Sequence, residues 1–490
     1  MKKRNLITAA LMVTGFLLAT TIAQASDITF GGQILTRYEL AEHTGTAATV
    51  GGAFDDAGAA DDFTQSRVRL HANVKANDST SAFIQLNSNR TWGNDVVTGG
   101  RAGVQGDGNG SFTANDQDAS VGITQAYFTL KNFAGQPVNL KVGKQQIIFD
   151  GHRLFGNTIW TMGQQNHDAV RLSHKHDNMS FDYAWIVATE DGNADGANIN
   201  DRNDVEVHTA YFKYEGILGG TLSGTYAYME DGCGIEPDAT TACTNEKDDF
   251  HTLGFRQAGQ LFGIDYRGEY YYQWGDANAS GSQATTARNN DSANRVVNTS
   301  AETTRTAYMF GVRVGKTFNN VSLKPGITFW YDYVSGSSDQ DLTNGIYKSF
   351  NTLFDTGHKF YGLQDNFLGL GSGSSTSGTA GLGLQDIAIK TKLSPMPGWF
   401  FKADYHWFMT AEGVNGSPDA GLGGNTAAGG GQVSSALGNE IDISLMNKYN
   451  ANTNITLGFS NYTTTAAFRN LRNVVGDGSN WAYVQFDVKF

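Results

Sequence analysis

The closing stretch Trp481-Ala-Tyr-Val-Gln-Phe-Asp-Val-Lys-Phe490 decides how the rest of the chain is read. Its even positions carry Ala482, Val484, Phe486, Val488 and Phe490, and its odd positions Tyr483, Gln485, Asp487 and Lys489. Side chains alternate across a strand, so one face is apolar and the other polar. Half-buried strands of soluble sandwiches alternate in the same way. An aromatic residue at the end of the apolar row suits a barrel whose last strand pairs antiparallel with its first. The remaining sequence separates the two.

Residues 1–25 read as a cleaved secretory signal: Lys2, Lys3 and Arg4, an apolar core from Leu6 to Ile22, then Ala23-Gln24-Ala25. Threonines interrupt the core, which argues against a membrane anchor. No later run is long and apolar enough for a membrane helix. The composition, with 60 Gly, 6 Pro and 12% aromatic residues, favours long strands over packed helices. A net charge of −13 argues against a nucleic-acid partner.

From Asp27 onward one pattern repeats. Near 27–42, Ile28, Phe30, Ile34, Tyr38 and Leu40 share a face opposite Gln33, Arg37 and Glu39. Near 64–77, Val68, Leu70, Ala72 and Val74 oppose Arg67, Arg69, His71, Asn73 and Lys75. Short turns are expected near 78–79, 132–137, 176–178, 216–220, 259–260, 318–321, 395–398 and 450–453. Long polar loops fall between them, among them 93–120, 150–166, 276–303 and 337–381. Strict alternation of short and long connections is the mark of a transmembrane antiparallel up-and-down β-barrel, here all-β with about 18 strands over residues 26–490. A propeller would repeat a blade at fixed period, and none is visible.

Aromatic rows fit this reading. Trp399, Phe401, Ala403, Tyr405 and Trp407 share one face. At a rise of ~3.3 Å and a tilt of ~40° they span roughly 20 Å, close to the height of an apolar band between aromatic girdles. A strand expected over 261–275 repeats the theme with Phe262, Ile264, Tyr266, Tyr270, Tyr272 and Trp274.

The polar rows form the candidate lumen. They carry Arg67, Arg69, His71, Lys75, Lys131, Lys141, Arg171, Arg256, Arg267, Arg313, Lys324, Lys390, Lys392 and Lys402, with fewer acids. A cationic lining lowers the barrier for anions, whereas the bland alternative is a lumen solvated by balanced charge. Cys233 and Cys243 share one loop and are expected to pair in an oxidising compartment. Asp191 to Gly196 resembles the start of a calcium loop, but Arg202 stands where a bidentate Glu is needed. No metal or cofactor is expected. Asp404 and His406 lie on one face without a nucleophile, so no enzyme is expected.

Two stretches resemble the alginate-export family of outer-membrane porins. The first runs from Val142-Gly-Lys144-Gln-Gln146 through Phe149-Asp-Gly-His-Arg153-Leu-Phe-Gly156 and Trp160 to Asp168-Ala-Val-Arg171-Leu172. The second holds Tyr331-Asp-Tyr-Val-Ser-Gly336, Phe350-Asn-Thr-Leu-Phe354 and His358-Lys-Phe-Tyr-Gly362. Gly438-Asn-Glu440-Ile-Asp442 resembles a third segment. The resemblance implies a monomeric eighteen-stranded barrel in outer-membrane lipid, and Lys144, Arg153 and Arg171 as further pore or constriction residues. Lys144 stands where the family usually has Arg, and barrel does not fix cargo. The expected function is passive passage of anionic or sugar-like solutes, with loops 150–166 and 337–381 folded inward. The alternatives are a polysaccharide exporter with a periplasmic partner, or a plugged scaffold or adhesin.

Overall fold

Alternating rows of this kind cannot satisfy their backbone groups in an apolar medium except by pairing all the way round. The computed structural model does so, described over residues 27–42, 61–92, 121–189, 205–231, 249–277, 303–368, 370, 378–415, 432–472 and 476–490. Its strands are β1 Asp27–Ala41, β2 Asp61–Lys75, β3 Thr80–Thr91, β4 Val121–Leu130, β5 Asn139–Gln145, β6 His167–His176, β7 Met179–Thr189, β8 Val205–Ile217 and β9 Gly220–Asp231. They continue with β10 Phe250–Leu261, β11 Ile264–Ala277, β12 Thr303–Thr317, β13 Gly326–Val334, β14 Ile346–Tyr347, β15 Leu384–Leu393, β16 Trp399–Asn415, β17 Gln432–Lys448, β18 Thr453–Thr464 and β19 Gly478–Lys489. Eighteen of these pair antiparallel with their neighbours. The two-residue β14 instead lies parallel to β12 at the mouth.

The ring closes where the last strand meets the first. β19 pairs antiparallel with β1 from Gln33↔Lys489 to Ala41↔Trp481. Gly32 and Phe490 exchange both backbone hydrogen bonds, at 2.7 and 3.1 Å. Phe486 and Phe490 are exposed on the outer face, and Trp481 and Tyr483 are buried inside. Elsewhere the outward rows expose Tyr270, Phe255, Phe329 and Trp407, as a wall solvated by hydrocarbon requires.

One turn differs from the sequence reading. β10 runs through Gly259 to Leu261, and the chain reverses at Phe262 and Gly263, both at positive φ (52° and 74°). Such a two-residue hairpin asks for left-handed residues, and an aromatic at its first position gives no turn signal. The segment 1–25, Cys233, Cys243 and the stretch at Asp191 lie outside the described residues.

The interior is not an empty tube. Residues 146–166, and 335–368 together with 378–383, fold into it, joined by a parallel bridge between Phe155 and Phe354. Ile147, Phe149, Phe155, Phe350, Phe360 and Phe367 from these segments pack against Tyr271, Met309, Phe408 and Tyr462 of the wall. A third segment, the helix Ala466–Arg472, adds Phe468 and Leu471. The barrel therefore encloses an apolar core that narrows the lumen.

Candidate functional site

The two inward segments are held by charge as well as by packing. Arg153 is 1% exposed. Its Nη2 donates to Asp332 Oδ2 at 2.6 Å and to Glu269 Oε1 at 2.9 Å, and its Nη1 to the Tyr361 hydroxyl at 2.9 Å. Glu269 and Asp332 come from β11 and β13, on either side of Gly311 in β12. A Cβ at Gly311 would lie 2.6 Å from Asp332 Oδ1 and 2.9 Å from Glu269 Oε1. The missing side chain is what lets both carboxylates close on one guanidinium. Phe360 lies under that guanidinium at 3.8 Å.

A second anchor lies across the lumen. Arg67 Nη1 donates to the carbonyls of Ile159 and Thr161, at 3.1 and 2.8 Å. Arg69 Nη2 donates to Gly163 at 2.8 Å, and Arg37 Nη1 to Trp160 at 2.9 Å. Three neighbouring inward arginines thus grip residues 159–163. On the third side, Glu440 Oε1 accepts the N–H groups of Leu363 and Gln364 at 2.7 and 2.9 Å. Arg472 donates to the Asn366 carbonyl. Charge-assisted bonds of this kind contribute about 1.5–3 kcal/mol each, enough in number to hold the segments inside.

The wall below Arg153 is built differently. Arg267 and Arg313 stand opposite each other on β11 and β12, and Arg256 stands opposite Glu269. Their side chains keep 10%, 11% and 15% of their surface. Arg267 lies 3.4 Å from Glu269, Arg313 3.7 Å from Asp332, and Arg256 3.4 Å from Asp150. Most of these pairings are too long or misaligned to use the guanidinium donors. Arg256 Nε, Arg267 Nε and Nη2, and Arg313 Nε and Nη2 meet no protein acceptor, against two idle acceptor atoms, Glu269 Oε2 and Asp332 Oδ1. Donors are in surplus. Lys359 joins this group from the inward segment, and burial followed by the charges of Arg267, Arg256 and Arg153 pushes its ammonium below the usual lysine range.

The other candidates divide. Lys141 and Arg171 face each other across β5 and β6, with Arg171 bonded to Asp182 at 2.6 Å. Lys390 pairs with Asp404 at 3.3 Å, and Lys402 is exposed near Lys392 at the short-turn end. His71 stacks on Phe83, and Lys75 pairs with Asp78 in the turn that follows β2. Lys144 leaves the lumen set. Lys141 and Gln145 of β5 face inward, so Lys144 falls on the outward row, 3.4 Å from an exposed Asp168. Arg67, Arg69 and Arg153 are buried and spend most of their donors on the inward segments or the wall beside them. Asp404 and His406 do not form a dyad: His406 Nδ1 lies 2.9 Å from Asp386 Oδ1, and Asp404 holds Lys390.

Sequence reading left Lys359, Tyr361 and Gly311 without a role. The first two stood in the quoted His358 to Gly362 motif, and only the strand register reveals the third.

The comparisons agree with this architecture. OccK8 (OprE) of Pseudomonas aeruginosa is similar over 95% of this chain and 98% of that chain, at 11% identity and TM-score 0.53. OpdO of Pseudomonas aeruginosa covers 96% and 98% at 10% identity and TM-score 0.53. OccAB1 of Acinetobacter baumannii covers 96% and 98% at 12% identity and TM-score 0.50. At these identities the likeness is one of fold. No curated protein matches the chain. The sequence profile described as alginate export matches residues 27–480, nearly the whole length, and the chain belongs to the alginate export family.

Proposed function

We propose that the protein is a passive outer-membrane channel for small anionic or sugar-like solutes, acting as a monomer. The observation that carries this reading is the cluster of Arg256, Arg267 and Arg313, which keep 10–15% of their side-chain surface, beside Lys359. An anion in transit meets that cationic surface, and in a narrow, low-dielectric passage the attraction outweighs that in bulk water. Solutes would move down their gradient through this electrostatic filter, without a covalent step. Family membership favours a second reading, export of an anionic polysaccharide with a periplasmic partner. The packed segments favour the first, because a polymer needs them displaced while a small solute does not.

Single-channel recording of the folded protein in planar bilayers tests the proposal. Discrete openings whose reversal potential in a KCl gradient lies toward chloride are expected. Zero conductance would return the plugged-scaffold reading, and cation selectivity would refute the role given to the arginines.

A further inference from the structure

At the short-turn end of the lumen lies a cavity of about 240 Å³, lined by Asn73, Phe83, Tyr127, Thr129 and Lys141 among others, and by one carboxylate, Asp27, whose charge lies beside Lys75. It is apart from the Arg153 constriction and from the donor-rich wall of β10–β13. Phe83 and Tyr127 stand opposite each other on β3 and β4, their rings stacked at 5.4 Å. His71 stacks on Phe83 at 5.5 Å, and the Lys141 ammonium lies 4.3 Å above the Tyr127 ring. The four side chains form one continuous row, each covering its neighbour's face.

That arrangement selects a ligand chemistry. A sugar ring binds to a free aromatic face, and Phe83 and Tyr127 each have both faces taken. What remains for a solute is ring edges, which carry the positive end of the aromatic quadrupole. Lys141 adds a full charge, and among the described residues it has no carboxylate within ion-pair distance, whereas Lys75 is held by Asp78 at 2.8 Å. Positive edges and a free ammonium together favour an anion with an apolar body over a bare inorganic ion. A flat aromatic body offers its own negative face to those edges, the preferred T-shaped contact. The cavity lies just below the usual range of about 300–1,000 Å³ for ligand sites, sized for a single ring.

From these contacts we infer that Phe83, Tyr127 and Lys141 form a subsite for aromatic carboxylates at the short-turn mouth of the lumen. The inference deepens the anion-channel reading by naming one class of solute, and it rests on that reading for its place on a transport path.

Equilibrium binding of benzoate to the full-length protein in nanodiscs tests it, with empty discs subtracted and with acetate and benzyl alcohol as comparators. Benzoate is expected to bind saturably, at least tenfold more tightly than either comparator. Tyr127→Leu and Lys141→Gln should each weaken it about tenfold, in protein whose barrel still shows a heat-dependent shift on a gel. Equal binding of acetate would show a site that reads charge alone, and equal binding of benzyl alcohol one that reads apolarity alone. Unchanged affinity in both variants would place benzoate elsewhere. Each of these overturns the inference. Because binding is read without conduction, a non-conducting protein that binds benzoate would sink the channel and leave the subsite.

Discussion

Two walls of this barrel carry inward arginines and use them in opposite ways. On β1 and β2, Arg37, Arg67 and Arg69 are at most 4% exposed, and each donates to a backbone carbonyl of residues 160–163 or 159. On β10–β12, Arg256, Arg267 and Arg313 keep 10–15% of their side-chain surface and hold donors with no protein acceptor. Residue type and facing are the same. What differs is what the side chain meets inside: a folded-in segment that takes most of its donors, Arg67 Nε excepted, or a cluster of like cations that keeps some accessible surface and leaves several buried donors without a protein acceptor. Counting cations on inward rows therefore overstates the charge that a permeating ion meets.

The contrast can be broken most forcefully at Arg153. Arg153→Ala strands Glu269 and Asp332 without their shared cation, and removing one partner of a buried pair costs about 3–5 kcal/mol. Denaturant unfolding should show that loss, and single-channel conductance should rise as residues 146–166 and 335–368 detach. Unchanged conductance in a destabilised protein would mean that aromatic packing alone holds the segments.

A smaller effect is expected on the anchoring wall. Arg69→Met removes the bond to Gly163, at about 1.5–3 kcal/mol for the charged donor. Faster proteolysis between 159 and 163 should follow. Intact resistance would assign no holding role to this arginine.

The smallest expected effect depends on pH. Asp355, on the inward segment near Arg153, is pushed from the ordinary 3.8 up to about 7 by desolvation, against the pull of Arg153 and a bond from Thr352. A carboxyl raised in the folded state destabilises as it is forced to ionise, so the penalty builds as pH rises from about 4 to about 7. Asp355→Asn should flatten the pH dependence of denaturant unfolding. An equally steep curve in that variant would place the titration elsewhere.

Much of the frame was legible because strand parity is a strong signal. The closing decapeptide, ambiguous alone, is assigned to pair with residues 27–42 once the alternation of short and long connections places both ends together, and the register from Gln33↔Lys489 to Ala41↔Trp481 bears that out. The alternation of long and short connections implies about eighteen barrel strands, and eighteen pair antiparallel in the described residues. The site was less legible, since its contacts are remote in sequence. Arg153 meets Glu269 and Asp332 at separations of 116 and 179 residues, through a gap left by Gly311 that no local pattern marks. Lys144 shows the opposite failure, a residue matched by motif position while its parity points it outward. At Phe262, an aromatic in a hairpin turn passed for a strand residue.

The most direct test sets the two walls side by side. Reversal potentials in a KCl gradient would be compared between Arg256→Gln/Arg267→Gln/Arg313→Gln and Arg67→Gln/Arg69→Gln. The first variant is predicted to move clearly toward the cation limit, and the second to stay with the parent protein. An equal shift in both, or a shift in the second alone, would contradict the claim that the arginines with accessible surface, rather than all that face inward, set the selectivity.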